Sequence, residues 1–336
     1  MLKPGLTRFV LALFVIMFHL SRSIFLGEFA VFSFFILSGY WISVMYEKKY
    51  LLKENTLKVF YVSRFWRILP VFYAVTIFAI LINFLCHIPV IGEVQKLGFG
   101  QKCLLYFSNV FLFGYNFLRY RILVPAWSLD IEMQFYLIFP FLYFLTRKSV
   151  TRLTLVLGIT VVSYGALLVL FEGHYHNKTL LSYLFLFIAG MYSYQTKVKF
   201  NNLVQYSSLL LFLIIVAVNM VVPSMRNLSR DSNTQYYHIL SLVLTIAAYP
   251  MVINSVHKPS DNKDRILGDL SFLVYLIHAV WLIVYELLIG LNYTKYTTIP
   301  LIAGFIAVTV ITSYILYKLV DRPSELARQK WVKGQL

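Results

Sequence analysis

The chain is 336 residues long, 60% of them hydrophobic and only 13% charged, with a mean hydropathy of +0.73. Soluble domains are about half apolar, so this composition excludes a soluble globular protein. The charged residues lie between long apolar runs, which is typical of a polytopic membrane protein surrounded by membrane lipid. We therefore predict an all-α fold, one helical bundle over residues 1–336, and no nucleic-acid partner despite the formal net charge of +16.

Apolar runs of suitable length predict about ten transmembrane helices. In chain order they cover residues 6–21, 29–46, 69–88, 127–146, 151–171, 180–195, 205–222, 236–255, 271–289 and 299–319. Residues 104–114 are apolar but too few to cross a bilayer, and we predict that they form a re-entrant or interfacial piece of the long loop 89–126.

The distribution of lysine and arginine predicts the orientation of the bundle. If the N-terminus lies in the cytoplasm, 21 of the 30 Lys and Arg residues fall in inner segments and 9 in outer segments. Cytoplasmic loops carry such an excess. We therefore expect both termini in the cytoplasm and the loop 89–126 outside, so that the net positive charge mostly reflects topology.

The first span contains two polar residues, Arg8 and His19, with only apolar residues between them. Eleven steps of an α-helix make about three turns plus about 20°, so both side chains lie on one face, about 16 Å apart along the axis. Ionisable groups at membrane depth are costly and often functional. The alternative is a cationic anchor at one end and an interfacial histidine at the other.

Polar residues inside or beside other spans predict a path through the bundle. Asp130 and Glu132 open the fourth span from the outside, at the level of His19. Arg64 and Arg67 share one face just before the third span, on the inner side. Within the spans themselves lie Ser38, Tyr275 and His278. Positive-inside anchoring also explains the two arginines, and the dipole of a helix N-terminus also explains the two acids.

Five segments in chain order resemble motifs of the acyltransferase-3 family of integral-membrane O-acyltransferases. They are Arg8 with His19 (Arg-x10-His), residues 29–40 (FFxLSG), 60–70 (RxxRixP), 127–136 (WSLxxExxFY) and 271–278 (SYxxYLxH). Two features depart from the family pattern. Residues 3–7 lack the acid that usually precedes the arginine, and Asp321-Arg322-Pro323 replaces the closing E-x-P.

The resemblance implies a multi-pass enzyme of the bacterial inner (cytoplasmic) membrane. Such an O-acetyltransferase moves an acetyl group from cytoplasmic acetyl-CoA, a co-substrate, to a hydroxyl of a surface polysaccharide, either O-antigen or capsule, or of its undecaprenyl-linked precursor. It implies no permanently bound cofactor. Because the chain ends soon after the tenth span, we expect the acyltransferase domain without the extracytoplasmic esterase-like domain that some members append.

Acyl transfer to a hydroxyl needs a base and a clamp for the donor. The resemblance implies that His19 supplies the imidazole, as a base or as an acyl carrier. The other catalytic candidates are Arg8, which would guide the donor, and Glu132 or Asp130, which would orient the imidazole. The donor phosphates would bind to Arg64 and Arg67. The path for the donor would include Ser38, Tyr275 and His278, and the acceptor would contact Trp127 and Tyr136.

Several alternatives stay open. The polar path would also suit a transporter of a glycan or lipid without covalent chemistry, although paired broken helices are not evident in the sequence. The same transfer with another donor, such as succinyl-CoA, is a variant of the first hypothesis. We predict no metal site, because His174 and His176 lack further ligands at suitable spacing. Cys86 and Cys103 are candidates for a disulfide in the outer loop.

Overall fold

The computed structural model describes residues 2–21, 24–87, 94–170, 178–232, 234–289 and 299–335. Every regular element within these ranges is helical, as predicted. The α-helices are α1 Pro4–Leu20, α2 Gly27–Met45, α3 Thr56–Leu85, α4 Phe99–Phe111, α5 Ala126–Thr146, α6 Val150–Leu170, α7 Leu184–Gln195, α8 Asn202–Val221, α9 Pro223–Ser229, α10 Gln235–Ser255, α11 Asn262–Ile289, α12 Ile299–Leu316 and α13 Arg322–Lys333.

Among the described residues, eight helical segments are long and apolar enough to cross a membrane. They are Gly27–Tyr50, Thr56–Leu85, Ala126–Thr146, Val150–Leu170, Asn202–Val221, Gln235–Ser255, Asn262–Leu287 and Leu301–Lys333. Two further predicted spans correspond to the shorter helices α1, of 17 residues, and α7, of 12 residues. The chain is thus a polytopic helical protein, while the count of ten and the cytoplasmic termini stay predictions.

Two helices begin well before the transmembrane spans predicted within them. Helix α3 begins at Thr56 instead of residue 69, and α11 begins at Asn262 instead of residue 271. In both cases the helix also includes a preceding stretch in which charged residues interrupt the apolar run, because backbone hydrogen bonding does not stop where hydrophobicity does. Arg64 and Arg67 therefore lie inside α3. The predicted interfacial piece 104–114 is helical as far as Phe111, within α4.

The described chain forms two compact units. Unit 1 consists of Met1–Met45 and Phe141–Ser271, and unit 2 consists of Tyr46–Pro140 and Phe272–Leu336. Helices α5 and α11 each contribute residues to both units. Unit 1 therefore contains α1, α2 and α6 to α10, whereas unit 2 contains α3, α4, most of α5 and α11, and the C-terminal helices.

In unit 1, helix α2 packs against α1, α7 and α10. Its crossing with α7 depends on two glycines that bring the backbones together. A Cβ atom on Gly39 would lie 2.0 Å from the carbonyl oxygen of Phe187, and one on Gly190 would lie 2.0 Å from that of Ile36. Small residues at helix crossings in membranes permit this close approach. Glycine at these two positions is therefore a packing requirement.

The N-terminus of α1 is held by an acid from α11. The carboxylate of Asp264 accepts hydrogen bonds from the backbone N–H groups of Gly5, at 3.1 Å, and Leu6, at 2.8 Å. Beside it, Lys3 donates to Asp261 at 2.5 Å, which lowers the pKa of that exposed carboxyl group. Residues 3–7 contain no acid, but the tertiary structure supplies one at the helix end, where a carboxylate is favourable.

In unit 2, the core is aromatic. Phe60 of α3 stacks on Phe139 of α5, with ring centroids 5.6 Å apart and an interplanar angle of 26°. Tyr46 meets both rings edge to face. A π-helical turn, Tyr46–Tyr50, carries this tyrosine, and a second, Tyr317–Asp321, joins α12 to α13. Helix α13 then packs on α3, so the last helix of unit 2 contacts the first.

The glycine crossing generates a stability prediction. Gly190→Ala should destabilise the protein by about 1–3 kcal/mol, because the added methyl overlaps a backbone carbonyl that cannot move away easily. Gly165→Ala in α6 is the matched control, since its Cβ would meet no atom within 4 Å and alanine favours a helix by about 0.5–1 kcal/mol. Thermal unfolding in detergent measures both. A Gly190→Ala variant as stable as the wild type would contradict the close crossing.

Candidate active site

Helix α1 carries Arg8 in its second turn and His19 in its last turn, and both side chains are half-buried. The uninterrupted helix confirms that the two side chains share one face. Ser38 is half-buried on α2, next to the glycine at the crossing with α7. These three candidate residues belong to unit 1.

The other candidate residues belong to unit 2, where polar groups follow one face of α5. Ser128, Glu132 and Tyr136 are four residues apart and span about 12 Å along the axis. The hydroxyl of Tyr136 donates to Glu132 Oε1 at 2.5 Å. One turn earlier than Glu132, the Oγ of Ser128 lies 2.8 Å from the hydroxyl of Tyr275 on α11. This face therefore forms a continuous polar row.

The α11 end of this polar row is fully enclosed. The hydroxyl of Tyr275 donates to the carbonyl oxygen of Pro125 at 3.1 Å, which ties α11 to the start of α5. His278 is 0% exposed, and its ring centroid is 6.1 Å from that of Tyr275. The structure thus brings Tyr275 together with Ser128 of α5, and His278 contacts Tyr275 from the same helix.

The other end of the row meets Arg64. Its guanidinium carbon lies 6.0 Å from the ring centroid of Tyr136, in the cation–π range. Arg64 Nη2 donates to the hydroxyl of Tyr50 at 2.5 Å, and that hydroxyl is 2.7 Å from Ser63 Oγ. Arg64 is only 6% exposed. A buried cation therefore closes the polar row.

A second arginine, Arg328 of α13, enters the same cluster. It donates to Ser63 Oγ and lies 3.4 Å from the hydroxyl of Tyr50. Its other nitrogens form a bidentate pair with Glu325, at 2.9 Å and 2.5 Å. This fork geometry is the strong form of an arginine–carboxylate pair. We call Tyr50, Ser63, Arg64, Glu325 and Arg328 the arginine cluster.

Arg67 lies one turn further along α3 and is paired differently. Its Nη1 donates to Asp321 Oδ1 at 2.6 Å, and the arginine side chain keeps 23% exposure. Arg64, Arg67 and Arg328 bring three positive charges against the two carboxylates of Asp321 and Glu325. The region therefore retains a net positive charge, although every guanidinium already has a protein partner.

Asp130 lies beside the polar row, but its carboxylate is used locally. It accepts hydrogen bonds from the backbone N–H groups of Gly114 and Asn116, both at 3.1 Å, and from Gln134 at 2.9 Å. Gly114 has a φ of 72°, a left-handed conformation that this clamp holds. The contacts favour a role for Asp130 in fixing the loop before α5, and Glu132 faces the row instead.

The same loop also holds the backbone of Trp127, which together with Tyr136 was predicted to contact the acceptor. The side chain of Asn116 donates to the carbonyl oxygen of Trp127 at 3.3 Å, while the indole is half-buried. Arg121 donates to the carbonyl oxygen of Asn116 at 3.0 Å, and burial lowers the pKa of this arginine. The start of α5 is thus held rigidly by its preceding loop.

Sequence reasoning missed Tyr50, Ser63, Glu325 and Arg328. Only Glu325 and Arg328 could have been found from the sequence, because an acid and a base three residues apart on a helix often pair, and Glu325 is a single acid in a basic C-terminal segment. Cys86 and Cys103 are free, so the disulfide alternative was wrong. His174 and His176 lie outside the described residues, and the described residues contain no cluster suited to a metal ion.

Comparisons with known proteins identify the family of the chain. A family model described as an acyltransferase domain, that of the acyltransferase-3 family, matches residues 4–318. The chain is also similar to the peptidoglycan O-acetyltransferase OatA of Listeria monocytogenes, with 32% identity over 158 residues. That alignment covers 44% of the chain and a quarter of the relative's length. No solved structure matches the chain.

Proposed function

The chain belongs to the acyltransferase-3 family and is an acyltransferase, and from this premise we propose that it is a membrane O-acetyltransferase. In this proposal it moves an acetyl group from cytoplasmic acetyl-CoA to a hydroxyl of a polysaccharide, or of its lipid-linked precursor, on the outer side of the bacterial inner membrane. The observation that carries the proposal is the polar row of unit 2, which ends on the buried arginine cluster.

The arginine cluster supports the donor side. The phosphates of acetyl-CoA carry several negative charges, and a net positive, partly enclosed region attracts them. Arg67 suits the first contact, because it is the most exposed of the three guanidiniums and can exchange Asp321 for a phosphate oxygen. A planar guanidinium fits two phosphate oxygens at once. Arg64 and Arg328 would then add to the electrostatic attraction for the phosphates as buried positive charges.

The polar row supports a route for the uncharged part of the donor. The pantetheine arm carries amides that need hydrogen-bonding partners inside an apolar bundle. Ser128, Glu132 and Tyr136 provide such partners at one-turn intervals along α5. In the predicted orientation this row leads from the arginine cluster on the inner side toward the outer end of α5. The acyl group would therefore travel while its nucleotide stays on the cytoplasmic side.

We assign the transfer step to His19. The acceptor hydroxyl gives its proton to the imidazole while its oxygen attacks the thioester carbonyl carbon. The carbon–sulfur bond then breaks, and the coenzyme thiolate leaves and takes the proton. An imidazole suits this exchange because its ordinary pKa lies near neutrality. Arg8 on the same face of α1 would guide the donor, and Trp127 would contact the acceptor.

For the acceptor, we propose only its chemical class. The relative in Listeria acts on peptidoglycan according to its name, and the family resemblance adds O-antigen and capsule. All three present sugar hydroxyls outside the cytoplasm. We therefore propose a polysaccharide acceptor and expect the O-acetyl group on a sugar hydroxyl.

Arg67→Gln should raise the Michaelis constant for acetyl-CoA about tenfold, since a charge-assisted hydrogen bond contributes about 1.5–3 kcal/mol. Arg67→Lys should recover only part of this loss because lysine lacks the fork. Asp321→Asn should lower the constant, because it removes the carboxylate that competes for Arg67. Lys58→Gln, an exposed cation on the same helix, is the control. An unchanged constant in folded Arg67→Gln protein would leave Arg67 as an anchor only.

His19→Ala should reduce polysaccharide acetylation by about 10²–10⁴-fold, the usual contribution of a general base. Its membrane level should persist, because removing a polar group at that depth favours insertion. His257→Ala, at an exposed histidine of the same unit, should acetylate normally. The O-acetyl signal in NMR spectra of purified polysaccharide measures both variants. Full acetylation by the His19→Ala protein would refute the assignment.

A further inference from the structure

Three helix ends meet in unit 1 around the residue that precedes His19. Phe18 lies in the last turn of α1, Glu28 in the first turn of α2, and Tyr237 with His238 in the first turn of α10. The polar members of this group come from segments far apart in the chain. Their meeting at the end of α1 is therefore a tertiary feature.

A buried histidine–carboxylate pair joins α2 to α10. Nδ1 of His238 lies 2.8 Å from both carboxylate oxygens of Glu28. The side chains are only 6% and 10% exposed. Burying an acid is costly unless a partner satisfies it, and such pairs are often kept because they fix one arrangement among several. The pair therefore sets the register between the first turns of α2 and α10.

Tyr237 extends this pair to α1. Its hydroxyl accepts a hydrogen bond from the backbone N–H of Glu28 at 3.2 Å. Its ring stacks on that of Phe18, with centroids 5.6 Å apart and an interplanar angle of 27°. Gly27 closes the contact from α2, because a Cβ atom there would lie 2.6 Å from the Phe18 ring. The half-buried ring of Phe18 is thus packed between α2 and α10.

Fixing Phe18 fixes the direction of the Cα–Cβ bond of His19. Successive side chains on an α-helix differ by about 100°, so rotation of α1 about its axis would turn both side chains together. The stacked ring prevents that rotation at the last turn, where the helix would otherwise fray. A catalytic imidazole must be held to within about 10–20° of its productive orientation. The contacts of Phe18 are placed to meet this requirement.

We infer that Tyr237, supported by the Glu28–His238 pair, is a positioning residue that orients His19 for acyl transfer. This inference rests on the proposed role of His19. Tyr237 acts through the stack on Phe18 and contacts neither donor nor acceptor in this account. The turnover number should therefore depend on the aromatic ring at this position, while the Michaelis constant for acetyl-CoA should not.

The test compares Tyr237→Leu, Tyr237→Phe and the control Tyr236→Leu in purified full-length protein with acetyl-CoA and polysaccharide. Tyr236 lies in the same turn of α10, but its hydroxyl bonds to Asn219 instead, at 2.6 Å. Tyr237→Leu should lower kcat per folded molecule at least tenfold with an unchanged Michaelis constant for acetyl-CoA. Tyr237→Phe keeps the stack and should retain at least a third of kcat, and Tyr236→Leu should behave as the wild type.

Glu28→Gln provides a second variant of similar size in case Tyr237→Leu folds poorly. It weakens the pair with His238 and should lower kcat about threefold to tenfold, again without changing the Michaelis constant. Wild-type kcat in folded Tyr237→Leu and Glu28→Gln proteins would overturn the inference, as would an equal loss in Tyr236→Leu. If His19→Ala alone abolishes transfer, the positioning role fails while the function of His19 stands. If His19→Ala retains transfer, the role assigned to His19 fails and the inference fails with it, and if the wild-type protein shows no transfer, the proposed function itself fails.

Discussion

The burial of positive charge in an apolar bundle is the constraint on which unit 2 depends. Arg64 is 6% exposed and Arg328 is 3% exposed. An unpartnered guanidinium at that depth would cost several kcal/mol. The hydroxyl of Tyr50 and the carboxylate of Glu325 offset this cost, and each lies on a different segment. The first π-helical turn, α3 and α13 are therefore held in one arrangement by the needs of two arginines.

In unit 1, the helices are held in place mainly by close packing of their surfaces. The glycines at the crossing of α2 and α7 allow direct backbone contact without polar groups, and Asp264 holds the start of α1 through two backbone N–H groups. At the other end of α1, the ring of Phe18 stacks on Tyr237. Both ends of the helix that carries Arg8 and His19 are thus fixed. This rigidity suits the proposed role of His19 as the base in acyl transfer.

The sequence allowed the apolar spans and the family motifs to be recognised, because hydrophobic length and local spacing are one-dimensional properties. It did not reveal the early starts of α3 and α11, since charged residues within 56–68 and 262–270 interrupt the apolar run without ending the helix. Nor could it pair Ser63 with Arg328, which are 265 positions apart. The local role of Asp130 was also hidden, because its partners are backbone groups of a loop. The pattern of charges in the sequence predicts where a residue lies relative to the membrane, whereas its hydrogen-bonding partners are determined by tertiary contacts.

In the proposed function, donor and acceptor are used on opposite sides of one membrane. The direct measurement offers acetyl-CoA, labelled in its acetyl group, to sealed vesicles of known orientation that contain the full chain and polysaccharide on both sides. Labelled polysaccharide should form only when the donor is on the face that bears the arginine cluster, and the label should appear only on polysaccharide on the opposite side of the membrane. Labelling of polysaccharide on the donor side, or labelling that is indifferent to vesicle orientation, would contradict the proposed function.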